Sequence, residues 1–450
     1  RTLRYDDRDL LVAQTNAAGQ TVEYSYDAMG RVVGTKSAEQ SFTYHYDDSP
    51  AGAAAKTTGR VAWVEEPTGE VHFAYDEDGR VVAQKRTVLG RSLEERRTYA
   101  PAGALLRVAY DDGFAYDLAY DDAGRPVKAG EHWQATATDA RGMVRSEVFG
   151  NGVAQVYDRN ALGETSRIRV ARGATALYDV ALARNGWGAV TTVQDGDGRG
   201  LDHTASFGYD AAGRLTEAVL GPALRPFRFT YGYDGLQNLV SRTATGPKEL
   251  GVAVGTYAYG GDGRSPRQLA SVAGGGRTVS LAYDAAGRVT EQGDLALVYN
   301  AFDELVEVLT KGPTALVHRA QHKYGYDGLR TWTKNTDGSE EIWFSEGVSE
   351  KDGRREHAVR VGERTVAKVS IALGQVPAAG GFLRRGESEA DARGVSGTHG
   401  GRIGAGLFAG LMFAALLLVA VPLAATRGRW RLVLPAPAMA LLALLAACSG

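Results

Sequence analysis

The string Tyr-Asp-x-x-Gly-Arg-(Val/Leu) returns at nearly even steps along this chain, and it restricts the fold more than any other feature. Tyr26-Asp27-Ala28-Met29-Gly30-Arg31-Val32 recurs as Tyr75-Asp76-Glu77-Asp78-Gly79-Arg80-Val81. Three more near-complete copies carry Tyr120, Asp121, Gly124 and Arg125; Tyr209, Asp210, Gly213 and Arg214; and Tyr283, Asp284, Gly287 and Arg288. Looser copies start at Tyr5, Tyr46, Tyr157, Tyr233, Tyr259, Tyr299 and Tyr326, and degenerate ones lie at Tyr99 to Gly103, Thr138 to Gly142 and Ala183 to Gly188. The copies recur about every 23 residues, a repeat-array period. Thirteen of the 21 tyrosines precede an aspartate, which chance composition does not give.

The spacing carries a physical reading. Residues before each Tyr-Asp alternate, as in Tyr24-Ser25-Tyr26, Phe73-Ala74-Tyr75 and Phe207-Gly208-Tyr209. Aromatics on one side and small or polar residues on the other mark a half-buried strand. The aspartate then starts a turn, its carboxylate accepting from backbone N–H groups two residues on. Glycine at the fifth position suits the positive φ that closes a short hairpin loop through a bulge. Arginine and a Val or Leu begin the return strand. Each copy therefore reads as one β-hairpin, and the repeated Tyr, Asp, Gly and Arg read as structural corners, since catalysis rarely needs one group fifteen times.

Composition narrows the classes. Glycine, at 58 of 450 residues, is nearly twice its usual ~7% share. With 44% hydrophobic residues the chain has enough apolar side chain to fold. A net charge of −2 gives no overall field for nucleic acid, so no nucleic-acid partner is expected. A single cysteine excludes a disulfide scaffold and a cysteine-based zinc site. The opening at Arg1, without methionine and directly in repeat sequence, leads us to expect a start inside a larger protein.

The repeat string resembles the YD-repeat, or Rhs, family over about residues 3 to 345. Tyr326-Asp327-Gly328-Leu329-Arg330, Glu341-Ile342-Trp343-Phe344 and His357 to Val369 look like the late part of such an array. The resemblance implies an all-β fold: a long antiparallel β-hairpin array spiralling into a hollow shell. Bacterial members enclose and deliver a C-terminal toxin, and animal relatives of the teneurin type act in cell–cell adhesion. The family's core, which plugs the shell and cuts off the toxin with aspartates, has no counterpart after residue 369, and no Asp-Pro-x-Gly-Leu-like string occurs.

The C-terminal part changes character. We divide the chain into an array at 1–345, final strands at 346–373, a Gly-, Ser- and charge-rich linker at 374–402, a hydrophobic transmembrane helix at 403–425, a basic loop at 426–431 and a second hydrophobic segment at 432–450. The 23 residues from Ile403 to Ala425 carry no charge, enough to cross a ~30 Å hydrocarbon core. The competing reading shelters this segment inside the shell. Arg427, Arg429 and Arg431 place the following side in the cytoplasm and the array outside it, with secretion as the other location. Leu445-Ala446-Ala447-Cys448 resembles a lipoprotein signal with Cys448 as the lipidated residue; a short membrane segment is the alternative.

Chemistry is sparse. His318 and His322 lack the glutamate of a zinc protease motif. Asp195-Gly196-Asp197-Gly198 opens like a calcium loop, but the spacing puts Ser206 where a bidentate glutamate belongs. Gly274-Gly275-Gly276 follows no phosphate-binding pattern. Trp63, Trp133, Trp187, Trp332 and Trp343 are expected in the core, with a sugar platform as the lesser reading. No catalytic, cofactor or metal residues are assigned. The function expected is a non-enzymatic shell segment of a bacterial toxin-delivery protein, holding an attached C-terminal toxin and contacting membrane lipid through 403–425. The rival is an adhesive protein whose array binds a target-cell glycan or protein. A glycan hydrolase would need paired carboxylates in one cleft.

Overall fold

Alternation of apolar and polar residues makes strands here, and short Gly-rich corners join each strand to the next. The computed structural model describes residues 1–196, 204–221, 226–246, 254–312 and 316–374. Across them runs one antiparallel sheet of 34 strands, from Thr2–Tyr5 to Arg364–Ala372, each paired with its sequence neighbour. The only helical element among the described residues is a single 3-10 turn, Ala53–Ala55. In Val61–Glu66 the period of two is plain: Ala62 and Val64 are buried, while Trp63 and Glu65 face the other way. Val64 pairs with Val71 across the strands, and both have lost all contact with solvent.

Because the strands alternate in direction, every second turn falls on the same rim. All fifteen copies of the motif lie on that corner rim, and plainer turns, such as Ser37 to Gln40 or Leu89-Gly90, occupy the opposite rim. At the corner rim the pairing slips by one residue just before the turn, at Tyr26, Tyr75, Tyr120, Tyr209 and Tyr283 alike. A bulge bends its strand and increases the local twist. Slips near the opposite rim occur at Val170/Ala171 and Val308/Leu309, so the regular recurrence belongs to the corner rim, where it adds twist at corner after corner.

The coil comes back alongside itself. Gln20 Nε2 donates to the Tyr299 carbonyl at 2.8 Å, Gln40 Nε2 to Glu304 at 3.0 Å, and Thr68 and Thr331 share a hydroxyl contact at 3.1 Å. Farther on, Arg86 reaches Asp327 and the Phe344 carbonyl, Asp112 meets Arg355 and His357, and Glu147 meets Arg364. Early and late partners advance together, so two successive turns of one spiral run in the same sense. Early partners such as Gln20, Gln40 and Thr68 sit at the plain rim, and late ones such as Tyr299, Glu304 and Asp327 at the corner rim.

The largest apolar cluster belongs to this seam: Val88, Leu93, Val108, Leu118 and Trp133 from the first turn pack with Ile342, Phe344, Val348 and Val359 from the second. A smaller one joins Phe42, Val64, Val71 and Phe73 to Phe302 and Tyr326. The cluster around Val180, Val193 and Ala205 draws on neighbouring strands of one sheet alone. That part of the wall is a single layer.

Three expectations need correction. Tyr157-Asp158 and Tyr326-Asp327 do not form corners where the motif puts them. The turns lie at Asn160 to Gly163 and Gly325 to Gly328, so Arg159 and Tyr324 take the strand-end position. In each case the glycine that accepts a positive φ fixes the turn. Trp187, expected in the core, is 68% exposed at a corner tip. Among the described residues no helix is long and apolar enough to cross a membrane. Residues 403–425, the arginines at 427–431, Cys448 and most of the proposed linker lie outside the described residues, as does Asp197 of the calcium-like string.

Gly30 holds φ at 79°, and a Cβ there would meet only Leu10 Cδ1 at 3.9 Å, an ordinary contact, whereas Asp9 and Asp303 hold the equivalent corner position at 59° and 64°. Gly30→Val is therefore expected to cost on the order of 1–3 kcal/mol through backbone strain, and Gly30→Asp much less. Thermal melting of the two variants checks this ordering; equal melting of both would contradict it.

Candidate functional site

The residues repeated in sequence converge on one device, a ladder along the corner rim. In the copy at Tyr26, the Asp27 N–H donates to the Arg31 carbonyl at 3.0 Å and the Gly30 N–H to the Asp27 carbonyl at 3.1 Å. Asp27 Oδ1 accepts from the N–H groups of Met29 and Arg31, both at 2.9 Å, and Oδ2 from Arg31 Nε at 2.7 Å. The same Asp–Arg pairing recurs at Asp76 and Arg80, Asp121 and Arg125, Asp210 and Arg214, and Asp284 and Arg288. Gly79, Gly124, Gly213 and Gly287 hold φ between 73° and 83°. The arginine side chain holds the carboxyls of Asp27 and Asp121 below the ordinary carboxylate range, with its backbone N–H adding to the effect.

The tyrosine links one copy to the one before it. Tyr26 Oη donates to the Leu11 carbonyl, Tyr75 to Val61, Tyr120 to Leu105, Tyr209 to Val190 and Tyr283 to Leu269, each at 2.8 Å. The acceptor is always the first residue after the previous corner, which gives the motif's final Val or Leu a backbone role as well as an apolar one. Arginine completes the link by lying over the next tyrosine ring: Arg31 over Tyr46 at 4.3 Å, Arg80 over Tyr99 at 5.2 Å and Arg214 over Tyr233 at 4.8 Å. Where Arg159 replaces tyrosine, its guanidinium donates to the Val144 carbonyl at 2.8 Å.

A second device, the seam, was not visible in the motif. Arg86 is 1% exposed, bonds Glu66 at 3.2 Å and Asp327 at 2.9 Å, and lies over the Tyr326 ring. Glu147 has no exposure and accepts from Arg364, Trp133 and Tyr157 together. Buried His357 sits against Tyr110 and Phe114, its Nε2 2.8 Å from Asp112 Oδ2. Arg355 bridges Asp112 and Glu350. Burial pushes the Asp112 carboxyl up, but bonds from His357 and Arg355 outweigh it and bring it to about 2. Burial raises the Glu147 carboxyl, and its three donors outweigh that as well. Burial instead dominates at Glu66 and Glu304 and raises them. The sequence carried little signal for this device: Arg86 alternates with Gln84 and Val88, and Glu147 with Arg145 and Phe149.

The remaining candidates have local partners. His318 pairs with Glu307 at 2.6 Å, and buried His322 with the Thr333 hydroxyl at 3.0 Å; burial lowers His322 to about 4. Gly275 and Gly276 form a tight turn between two strands. Trp63 is stacked between His45 and His72, so both of its ring faces are occupied. Among the described residues no group of three or more His, Cys, Asp or Glu has the arrangement of a metal site.

Residues 5–41, which span the first two corners, match the family model described as RHS Repeat. Those residues carry an RHS repeat. No curated protein matches the chain. Among solved structures, the sheet resembles the crystal structure of TcdB2-TccC3, with a TM-score of 0.64 at 16% identity over 82% of this chain and 21% of that one. The same complex without its hypervariable C-terminal region gives the same figures. A structure of the Photorhabdus luminescens Tc holotoxin pore with a mutated TccC3 gives 0.61 at 14% identity, again over 82% and 21%. At such identity the likeness establishes the fold, and this chain spans about a fifth of the chains it matches.

Two outcomes follow from this geometry. Tyr120→Phe deletes one hydroxyl-to-carbonyl bond and leaves the ring, so a loss of about 1 kcal/mol is expected in denaturant unfolding. Asp112, depressed in the folded state, contributes roughly 2 kcal/mol that is complete above its unfolded value near 3.9 and disappears as the pH falls toward 2. Glu66 and Glu304, raised by burial, run the opposite way. Melting temperature against pH should therefore fall less steeply below pH 4 in Asp112→Asn than in the parent.

Proposed function

We propose that the chain forms part of the wall of a container enclosing a polypeptide attached on its C-terminal side, within a protein of the toxin-delivery type. The seam between successive turns is the observation that supports this most. A ribbon whose opposite rims mate in register becomes a continuous wall, with apolar and ionic contacts holding one turn against the next. About twenty-five strands separate Gln20 from its partner at Tyr299, which at ~4.8 Å per strand makes one turn on the order of 120 Å around. Such a ring is roughly 40 Å across, wide enough for a polypeptide once two side-chain layers are subtracted. The single-layer wall around Val180 and Val193 suits that reading, because an apolar sheet face without a second layer is available to contents.

The solved relatives lend support from their composition. TcdB2-TccC3 is known both with and without a hypervariable C-terminal region, and the present sequence also continues past the last described strand, which ends at Ala372. The wall is structural in this reading, and any enzymatic activity belongs to the contents. The charge-free run of residues 403–425 supplies the tie to a membrane, with secretion or exposure outside the cytoplasm as the setting.

Trypsin tests the containment. Arg384, Arg385 and Arg393 follow the last described strand in sequence. If the chain enters the enclosed space, they are cut slowly in the parent and several-fold faster once the seam is loosened in Arg86→Ala; equal rates would sink the proposal. Fractionation tests the membrane tie: the chain should sediment with vesicles and be released by detergent, not by salt. Recovery in the detergent-free supernatant would dismiss it.

A further inference from the structure

Gly325 opens its corner without a side chain, and a carboxylate from the other spiral turn stands in the vacant place. The backbone closes as at other corners, with the Gly325 N–H on the Leu329 carbonyl at 2.8 Å and the Gly328 N–H on the Gly325 carbonyl at 3.0 Å. In the copy at Asp27 the first residue supplies a carboxylate and the fifth, Arg31, a guanidinium that pairs with it. Here the first residue is glycine and the fifth is leucine. Glu66 Oε1 lies 2.5 Å from the point a Cβ on Gly325 would take, and it accepts from the Tyr326 N–H at 2.9 Å. Arg86 brings the guanidinium, which meets Asp327 at 2.9 Å and Glu66 at 3.2 Å. Glu66 and Arg86 stand 260 and 241 residues from Tyr326 and Asp327 in sequence, so both charged groups come from the first turn.

Two observations separate this arrangement from an ordinary turn. Gly325 does not hold a positive φ, unlike Gly328 at 75°, so backbone conformation is not what calls for glycine there. Space is the reason: Glu66 Oε1, Asp327 Oδ1 at 3.0 Å and the Arg86 guanidinium at 3.2 Å surround the vacant Cβ position. Nor does the turn itself need a borrowed carboxylate. The corner at Ala100 closes with the Ala100 N–H on the Ala104 carbonyl and the Gly103 N–H on the Ala100 carbonyl, both at 2.8 Å. Neither its first nor its fifth residue is ionisable. Glu66 therefore acts across the seam rather than within the corner. Its side chain and that of Arg86 are almost wholly buried, so each charge is tolerated only where it meets the other and Asp327.

We infer that the corner at Gly325 is a socket for the Glu66 carboxylate, and that this socket fixes the register between the two spiral turns. Sliding one turn along the other would take Glu66 off the Tyr326 N–H and leave Arg86 without Asp327. Contacts on either side share the same register: Thr68 meets the Thr331 hydroxyl at 3.1 Å, and Arg86 reaches the Phe344 carbonyl at 3.1 Å. Aspartate opens all five full copies of the motif, yet it is the wrong residue at position 325. Its side chain would claim the place that Glu66 fills and set a third carboxylate beside two others. The lock is independent of what the wall encloses.

Thermal melting and hydrogen exchange of the full chain test the socket. Gly325→Asp should lower the melting temperature although it restores the motif, whereas Ala100→Asp should leave it level or raise it. Adding Glu66→Ala to Gly325→Asp empties the seat, and the double variant should melt above Gly325→Asp alone, because Arg86 then has the new carboxylate to pair with. Glu66→Ala by itself should speed exchange of the Tyr326 amide at least tenfold relative to the Gly328 amide, which is bonded within the corner. Gly325→Asp melting at or above the parent, an equal drop in Ala100→Asp, a double variant no more stable than Gly325→Asp, or Tyr326 exchange that keeps pace with Gly328 would each overturn the inference. The exchange measurement decides the matter if Gly325→Asp does not fold.

Discussion

The hydrogen bond from each corner tyrosine to the backbone carbonyl just after the previous corner is the contact on which the ribbon rests. An isolated two-stranded hairpin is marginal in water. Strand pairing alone would leave a long thin sheet free to twist and shear at its rims. Tyr26 on Leu11, Tyr75 on Val61 and Tyr209 on Val190 fix each corner to its predecessor, and Arg31 or Arg214 stacked on the next tyrosine fixes it to its successor. Each contact contributes only about 1 kcal/mol. Stability in such an array is a sum of nearest-neighbour terms, and a small term repeated at every corner becomes a large one.

The corner also sets the shape. Its bulge recurs at corner after corner and adds local twist there, and the ribbon coils until it meets itself. The meeting surface mixes apolar knobs with buried charges. Taking Arg86 and Glu66 out of water is expensive, and their mutual attraction returns that cost only in the register that also brings Asp327 and the Phe344 carbonyl within reach. Sliding one turn over the other would strand a buried charge. Apolar contacts such as Phe302 on Phe42 supply area, and the ionic groups supply the register.

Much of this wall was legible before any coordinates. The five full copies of the motif predict their own turns, because aspartate, glycine and arginine each meet a local need within five residues. The misreadings at Tyr157 and Tyr326 share one cause. Tyrosine can be replaced at the strand end by another donor, as Arg159 shows, whereas the positive φ falls to glycine at Gly163 and Gly328. The turn follows the glycine when the two disagree. Trp187 was misread for a different reason: its size suggests burial, but its place at a turn tip leaves it outside.

What the sequence determined by itself was everything that neighbours within about two strands can enforce: the all-β ribbon, its hairpin corners, their spacing and the two unlike rims. What only the tertiary structure decided was which distant corners meet, as in Asp112 with Arg355 and His357, or Glu147 with Arg364. Those partners lie more than two hundred residues apart. Their meeting depends on small twists accumulated over a whole turn, and no local pattern records such a sum.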